Sequence, residues 1–467
     1  MECIVDTYGE EQMIKELEKQ LNSTDQSDQK DTLTEDEKAR LHKAIHEDKM
    51  MTGQDGEIHH IQEIDFIIKD ILKHQHKAFK YERNTESEDE VVECQNGEEN
   101  TWLHDQEFVR SESASLDYTN QQVINDQRGV STYLIKKIGV NILSGKSIMN
   151  ISLPIKLFEP HSMLEKIASS FRFSPYYLQK AKELSNPIDR VKVLMTGYIV
   201  SLQLEPQMLK PFNPILGETF QATIGDYEIV VEQISHHPPI TAFEMWSDTL
   251  ENSPHLSGYI EFECKTGLRV VTVSKQGMIK TYFPDNDQTI VWHKFPEGLM
   301  HGVIKGTRTY DYTGGLKISD EANNIHADII FNPDKKGWFK SMFSSSQKTC
   351  PDHFEGLITS FKDLDYKNSR TENIDKLKKK HGFEVYAEVD GNWTQGMTID
   401  KDTVWEYSKY RPLKLKYINN PLPSDSRFRT DLIALLNHDN MKAQEEKDIL
   451  EDQQRSDKKM RKSANKK

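Results

Sequence analysis

Residues 232–240 read EQISHHPPI, in which two adjacent imidazoles, His236 and His237, are followed at once by two prolines in a region otherwise rich in apolar residues. Proline locks φ and lacks the N–H that an interior ladder needs, so a strand entering at Glu232 must end or turn at Pro238 and Pro239. Neighbouring residues on a strand face opposite ways, and both rings reach one ligand only where the strand ends or bends. The pair therefore belongs at the rim of a sheet. With an ordinary pKa of about 6.5, histidine gains a proton readily beside an anion and then offers two donors to phosphate oxygens. Taken alone, the pair reads equally well as two structural histidines.

The sequence around this stretch has strand character. Ile260, Phe262 and Cys264 alternate with Tyr259, Glu261 and Glu263, and Phe383, Val385, Ala387 and Val389 alternate with Glu384, Tyr386 and Glu388. Such two-residue periodicity predicts strands with one apolar face. Gly314-Gly315 and Asp390-Gly391 read as hairpin turns. The expectation is a large antiparallel sheet or barrel, filled either by packed side chains or, above about eight strands, by a ligand cavity. Helical patterns flank it. Residues 162–204 carry longer ones, Leu134 and Ile138 mark a short one before the strand-like SGKSIMNISLPIKLFEP, and residues from Thr430 onward carry a last one.

Two further segments hold charge where an anion site would need it. KPFNPILGETF, residues 210–220, sets Lys210 and Asn213 in a proline-stiffened turn, which by itself is also what a plain loop looks like. On the last helix Lys447, Glu451 and Arg455 recur at every fourth position and line one face, the pattern of an ordinary surface ion-pair ladder. The chain ends in KKMRKSANKK, with six basic residues in ten, a solvated tail or a contact for an anionic membrane surface.

Charge divides the chain. Residues 1–130 hold 32 acidic and 14 basic residues, a balance of −18 against −15 for all 467, so the remainder, with 43 acidic and 46 basic, stands at +3. Residues 1–127 are polar and acidic and read as largely disordered. Short helices interrupt them, one opening at Thr34 with Glu37 in capping-box spacing and one along Ile61, Ile64, Ile67, Ile68 and Leu72. The four cysteines, at 3, 94, 264 and 350, have no disulfide or zinc spacing. The first residues, MECIVDTYGE, lack a signal-peptide pattern, and no stretch holds the roughly 18 apolar residues of a membrane span. A cytoplasmic protein touching membranes from outside is expected.

Several chemistries drop out. Gly139 and Gly145-Lys146-Ser147 have five intervening residues where the phosphate loop needs four, no HExxH occurs, and His59-His60 with Glu63 has no third ligand at a recognised spacing. No basic stripe interleaved with aromatics precedes the tail, which disfavours nucleic acid. The histidine pair brings no nucleophile with it, so an enzyme is not expected, nor a cofactor or metal. In PDKKGWFKSMFSSSQK, residues 333–348, Trp338, Phe339, Met342 and Phe343 alternate with lysines as at a membrane interface, or end a strand.

Three segments together resemble one family. EQISHHPPI is similar to the fingerprint of the oxysterol-binding proteins, KPFNPILGETF resembles their KPxNPxLGE segment, and the stretch from PLPSDSRFRTD (421–431) to Arg455 resembles their closing LPxTDSRxRPD and K-x3-E-x3-R region. The resemblance covers about 128–467. It implies a mainly β fold, a large nearly closed antiparallel β-barrel with a hydrophobic tunnel, flanking helices and an N-terminal lid at about 128–150 carrying Tyr133, Leu134, Ile138 and Ile142. It implies a phosphatidylinositol 4-phosphate site at Lys210, Asn213, His236, His237, Lys447, Glu451 and Arg455. It also implies a sterol, or phosphatidylserine, bound alternately in the same tunnel by a monomer that exchanges the two lipids between membranes, or senses them without net transport. No pleckstrin-homology-like module and no paired-aromatic acidic motif for a membrane receptor accompany these segments.

Overall fold

The alternating stretches become strands that are long and successive. The computed structural model describes residues 108–464 except 111–114, 139–143, 148–152, 208, 237, 268–269, 304, 334–351, 363 and 365–373. The strands are β1 Phe108–Arg110, β2 Leu116–Tyr118, β3 Ser144–Ser147, β4 Phe158–Ser162, β5 Lys210–Phe212, β6 Thr219–Ile224, β7 Tyr227–His236, β8 Pro239–Trp246, β9 His255–Gly267 and β10 Val270–Phe283. They continue as β11 Gln288–Lys294, β12 Glu297–His301, β13 Thr309–Asp320, β14 Ile325–Phe331, β15 His353–Thr359, β16 Val385–Asn392, β17 Gly396–Ile399, β18 Asp402–Glu406 and β19 Leu415–Tyr417. Helices are α1 Gln121–Ile138, α2 Met163–Ser170, α3 Ser174–Lys182, α4 Pro187–Ser201, α5 Ile374–His381, α6 Thr430–Leu436 and α7 Asn440–Ala464.

Seventeen strands form one antiparallel sheet, and β4 and β5 form a separate parallel pair. From β6 to β10 and from β13 to β18 each strand pairs with the next in sequence, and β10 and β13 are joined through the shorter β11 and β12. β19 extends the β6 edge. Among the described residues β18 pairs with β17 and β19 with β6, with no register between β18 and β19, so the strands form one continuous sheet rather than a barrel sealed by hydrogen bonds. The helices lie against it: α2 packs on β6 and β7, and α4 on β13 and β18. Local chemistry starts these helices, with Ser162 Oγ accepting from Leu164 N at 3.3 Å and Asn186 Oδ1 from Ile188 N at 2.9 Å, the latter followed by Pro187 at the first helical position.

Two sequence expectations need correction. Gly314-Gly315 does not turn the chain; it lies within β13, where Gly314 at φ +88° falls at the point where pairing with β12 has ended on one edge and pairing with β14 begins on the other. Asp390-Gly391 lies within β16, and Gly391 is there because a Cβ would come within 2.6 Å of the Phe354 ring. Glycine in a strand thus reports a kink and a close approach rather than a hairpin. The described elements also begin at Phe108, upstream of the expected boundary at 127/128, because Phe108, Leu116 and Tyr118 are buried in the main core and β2 pairs with β13. No described helix is long and apolar enough to cross a membrane.

Candidate functional site

The apolar face of β9 and β10 does not end in packed side chains. Ile260, Phe262 and Cys264 of β9 and Val271 and Val273 of β10 line a cavity of about 330 Å3, with α2 contributing Met163 and Ile167. A volume of this order suits a small-molecule or lipid ligand, for which about 300–1,000 Å3 is usual. Lys210, Asn213 and His236 line the same cavity, so a cation and two further polar groups stand together on a lining that is mostly apolar but also carries Lys166, Glu205, Lys275 and Arg308.

β7 ends at His236, which pairs with Pro239 at the start of β8. Gln233, buried, prepares that turn: its Nε2 donates to Ser235 O at 2.5 Å and its Oε1 accepts from Thr241 Oγ1 at 2.7 Å. His236 Nδ1 meets Gln454 Nε2 of α7 at 2.8 Å, so the hairpin and the last helix touch at the ring itself. His237 lies outside the described residues.

Lys210 donates to Asn213 Oδ1, and its ammonium sits 4.9 Å from the centre of the Phe158 ring. The Lys447 ammonium, on α7, lies 5.5 Å from the same ring, so residues 237 positions apart share one aromatic face. Desolvation pushes Lys210 down to about 8, with the nearby Lys447 adding to the fall and Cys264 and Glu451 opposing it. Glu451 accepts from Lys447 at 2.7 Å and from Arg455 at 3.0 Å, so one carboxylate holds both cations on the face that the sequence spacing predicted. Lys447 is buried and Arg455 exposed, a difference the periodicity carries no sign of.

A second layer fixes this arrangement. Buried Arg429 donates through Nη1 to Asn213 O at 2.7 Å and to Glu218 Oε2 at 2.9 Å, and through Nη2 to Asp431 Oδ2 at 2.7 Å. Glu218 also accepts from Ser162 Oγ at 2.8 Å and Ile215 N at 3.0 Å. Its burial raises its pKa despite the guanidinium beside it, whereas the two carboxylates hold Arg429 above its usual range. Arg429, Glu218, Phe158 and Gln454 were not singled out in the sequence. Arg429 does stand in PLPSDSRFRTD, Glu218 stands in KPFNPILGETF, and Gln454 sits next to Arg455, so a signal existed for three of them.

Of the expected lid, Tyr133, Leu134 and Ile138 fall in α1, but their side chains, and all of Ile142, lie outside the described residues, as do Trp338, Phe339, Met342 and Phe343. The N-terminal half of α1 is docked: Val123 and Ile124 are buried, and Gln127, on the cavity wall, accepts from Arg308 Nη1 at 2.5 Å. Cys264 is free, and desolvation pushes its thiol up to about 11, so it is protonated at neutral pH. Elsewhere, His353, Glu355 and Asp390 bring ligand atoms within 4.8 Å of one another on β15 and β16, strands that do not line the cavity.

A β-rich body that holds a mostly apolar cavity with cationic groups on its lining defines, as a class, an amphiphile-binding protein. The particular family follows from comparison: the family model for oxysterol-binding protein matches residues 139–467, and the chain belongs to that family. Oxysterol-binding protein 9 of Dictyostelium discoideum is 33% identical over 341 residues, 72% of this chain and 76% of that protein. Oxysterol-binding protein-related protein 5 of Mus musculus is 26% identical over 373 residues, 75% of this chain but only 38% of that longer protein. The fold is that of the Osh3 ORD of Saccharomyces cerevisiae, solved with PI(4)P, at a TM-score of 0.52 and 23% identity over 71% of this chain and 84% of that one. It is equally that of the Osh1 ORD solved with ergosterol, at 0.52 and 21% over 70% and 80%.

Proposed function

We propose that the β-rich body that begins at Phe108 binds phosphatidylinositol 4-phosphate with its acyl chains in the cavity, and alternately a sterol or phosphatidylserine, exchanging them between membranes without making or breaking bonds. The observation that carries this reading is that Lys210 and His236 line an apolar cavity of about 330 Å3 while α7 reaches both, through Lys447 at the Phe158 ring beside Lys210 and through Gln454 at the His236 ring. His236, His237 and Arg455 would hold the 4-phosphate, Lys210 and Asn213 the phosphodiester and glycerol end, and Lys447 with Glu451 the inositol hydroxyls. Glu451 keeps both α7 cations paired when no phosphate is bound. Residues 128–150 would cover the mouth. The solved relatives favour the same pairing of ligands, since one ORD of this fold carries PI(4)P and another ergosterol.

The test is extraction from liposomes carrying phosphatidylinositol 4-phosphate or a sterol. Replacing His236 and His237 together by Ala should abolish phosphoinositide extraction while sterol uptake survives; unchanged phosphoinositide uptake overturns the head-group assignment. Transfer between two liposome populations at catalytic protein amounts supports exchange. Extraction without transfer makes the chain a sensor.

A further inference from the structure

A second, smaller cavity of about 50 Å3 adjoins the first, and neither Lys210 nor His236 lines it. The two share four wall residues, Ser170, Glu205, Ile260 and Lys275, and two of these form an ion pair. Lys275 Nζ donates to Glu205 Oε1, with the side chains 8% and 21% exposed, and Glu205 Oε2 accepts from Tyr312 Oη at 3.0 Å. Desolvating two charges on a mostly apolar wall is costly.

Beyond the pair the small cavity is walled largely by apolar side chains, with three polar atoms set among them. Tyr198 Oη, Thr281 Oγ1 and Trp292 Nε1 are buried without a hydrogen-bond partner among the described residues, and all three residues line the small cavity. Buried hydroxyl and indole groups are ordinarily satisfied by water, and 50 Å3 has room for roughly three to five molecules. On the other side stand Phe262, Val271 and Val273. The ion pair, shared by the two walls, and these three polar atoms are the groups that water in the small cavity would solvate. A lipid chain reaching past the pair would displace that water and leave the charges and the three polar atoms unsatisfied.

We infer that Glu205 and Lys275 form a charged floor that limits how deeply a lipid chain enters, and so determine specificity for acyl-chain length. The inference rests on the reading that the cavity receives lipid chains. Its test offers the full chain, and a Glu205→Gln, Lys275→Met double variant, two liposome sets with graded acyl lengths, one of phosphatidylinositol 4-phosphate and one of phosphatidylserine. Bound lipid is counted species by species by mass spectrometry. Wild-type uptake should fall off beyond a limiting length. The double variant should move that limit outward, each added methylene gaining up to about fourfold, the equivalent of ~0.8 kcal/mol per buried CH2. Lys275→Arg, which keeps the pair and adds bulk, should keep or shorten the limit. Identical length profiles in wild type and double variant, or a longer limit in Lys275→Arg, overturn the floor. Loss of the phosphoinositide set alone overturns the head-group reading and leaves the floor measured on phosphatidylserine. Uptake of neither set overturns both.

Discussion

Among the described residues there are two apolar cores, and they are held together differently. The large one lines the sheet and packs α2, α3 and α4 against it, with Phe220, Ile229, Phe283, Leu316 and Phe354 fully buried. The small one is seven residues, Leu153, Ile155, Phe158, Phe212, Leu432, Ala434 and Ala443. Yet the site lysines stand on the small one: Lys210 sits two positions before Phe212, Lys447 lies one helical turn after Ala443, and Phe158 lies under both lysines. So small a cluster buries too little area to hold four distant segments in register. The Arg429 network supplies the rest, with the guanidinium also 5.2 Å from the Phe212 ring centre. The large core is therefore governed by packing, and the site by satisfied charge.

The largest expected effect breaks the charge side of this contrast. Arg429→Met leaves Glu218 and Asp431 buried without their cation, and should cost about 3–5 kcal/mol in urea denaturation. Adding Glu218→Gln and Asp431→Asn should restore much of it; a loss under about 1 kcal/mol for Arg429→Met would mean that packing alone carries the small core. On the packing side, a Cβ at Gly197 of α4 would meet the Tyr177 ring at 2.6 Å. Gly197→Ala should cost about 1–3 kcal/mol by the same measurement, while phosphoinositide extraction by the folded fraction stays unchanged.

The next effect is on binding and depends on pH. With Lys210 at about 8, its charge is present below that value and lost above it. Extraction of phosphoinositide should fall as pH rises through 8, by up to about tenfold at pH 9, and Lys210→Met should flatten the profile. The effect on folding has the opposite sign. Between about 8 and the ordinary 10.5 the unfolded chain holds a proton that the folded chain has shed, so this group's contribution to stability rises with pH across that window. Thermal melts of wild type and Lys210→Met across the same range separate the two. The smallest effect is Arg455→Ala, an exposed pair whose loss should change stability by less than about 1 kcal/mol, even as phosphoinositide extraction drops.

Which parts were legible follows from how far apart the partners lie. Alternation at Ile260, Phe262 and Cys264 reports which side chains share a face, and those three line the cavity; the spacing of Lys447, Glu451 and Arg455 likewise puts them on one side of α7. Both are properties of neighbours along the chain. The turns at Gly314 and Asp390-Gly391 were misread because glycine marks a kink and a close approach as well as a hairpin, and only the partner strand distinguishes them.

The sequence by itself determined a β-rich body, a strand that must stop at His236, a cationic helix face and the family these segments identify, since each depends on local backbone chemistry and on residue types. Only the tertiary structure decided that Lys210 meets Lys447 over Phe158, that Gln454 meets His236, that Arg429 ties the turn to the last helices, and that Glu205 and Lys275 face each other across a cavity wall. Those meetings are set by how the strands pair across the sheet and by which buried charges can be paired, and neither is written in the spacing of residues along the chain.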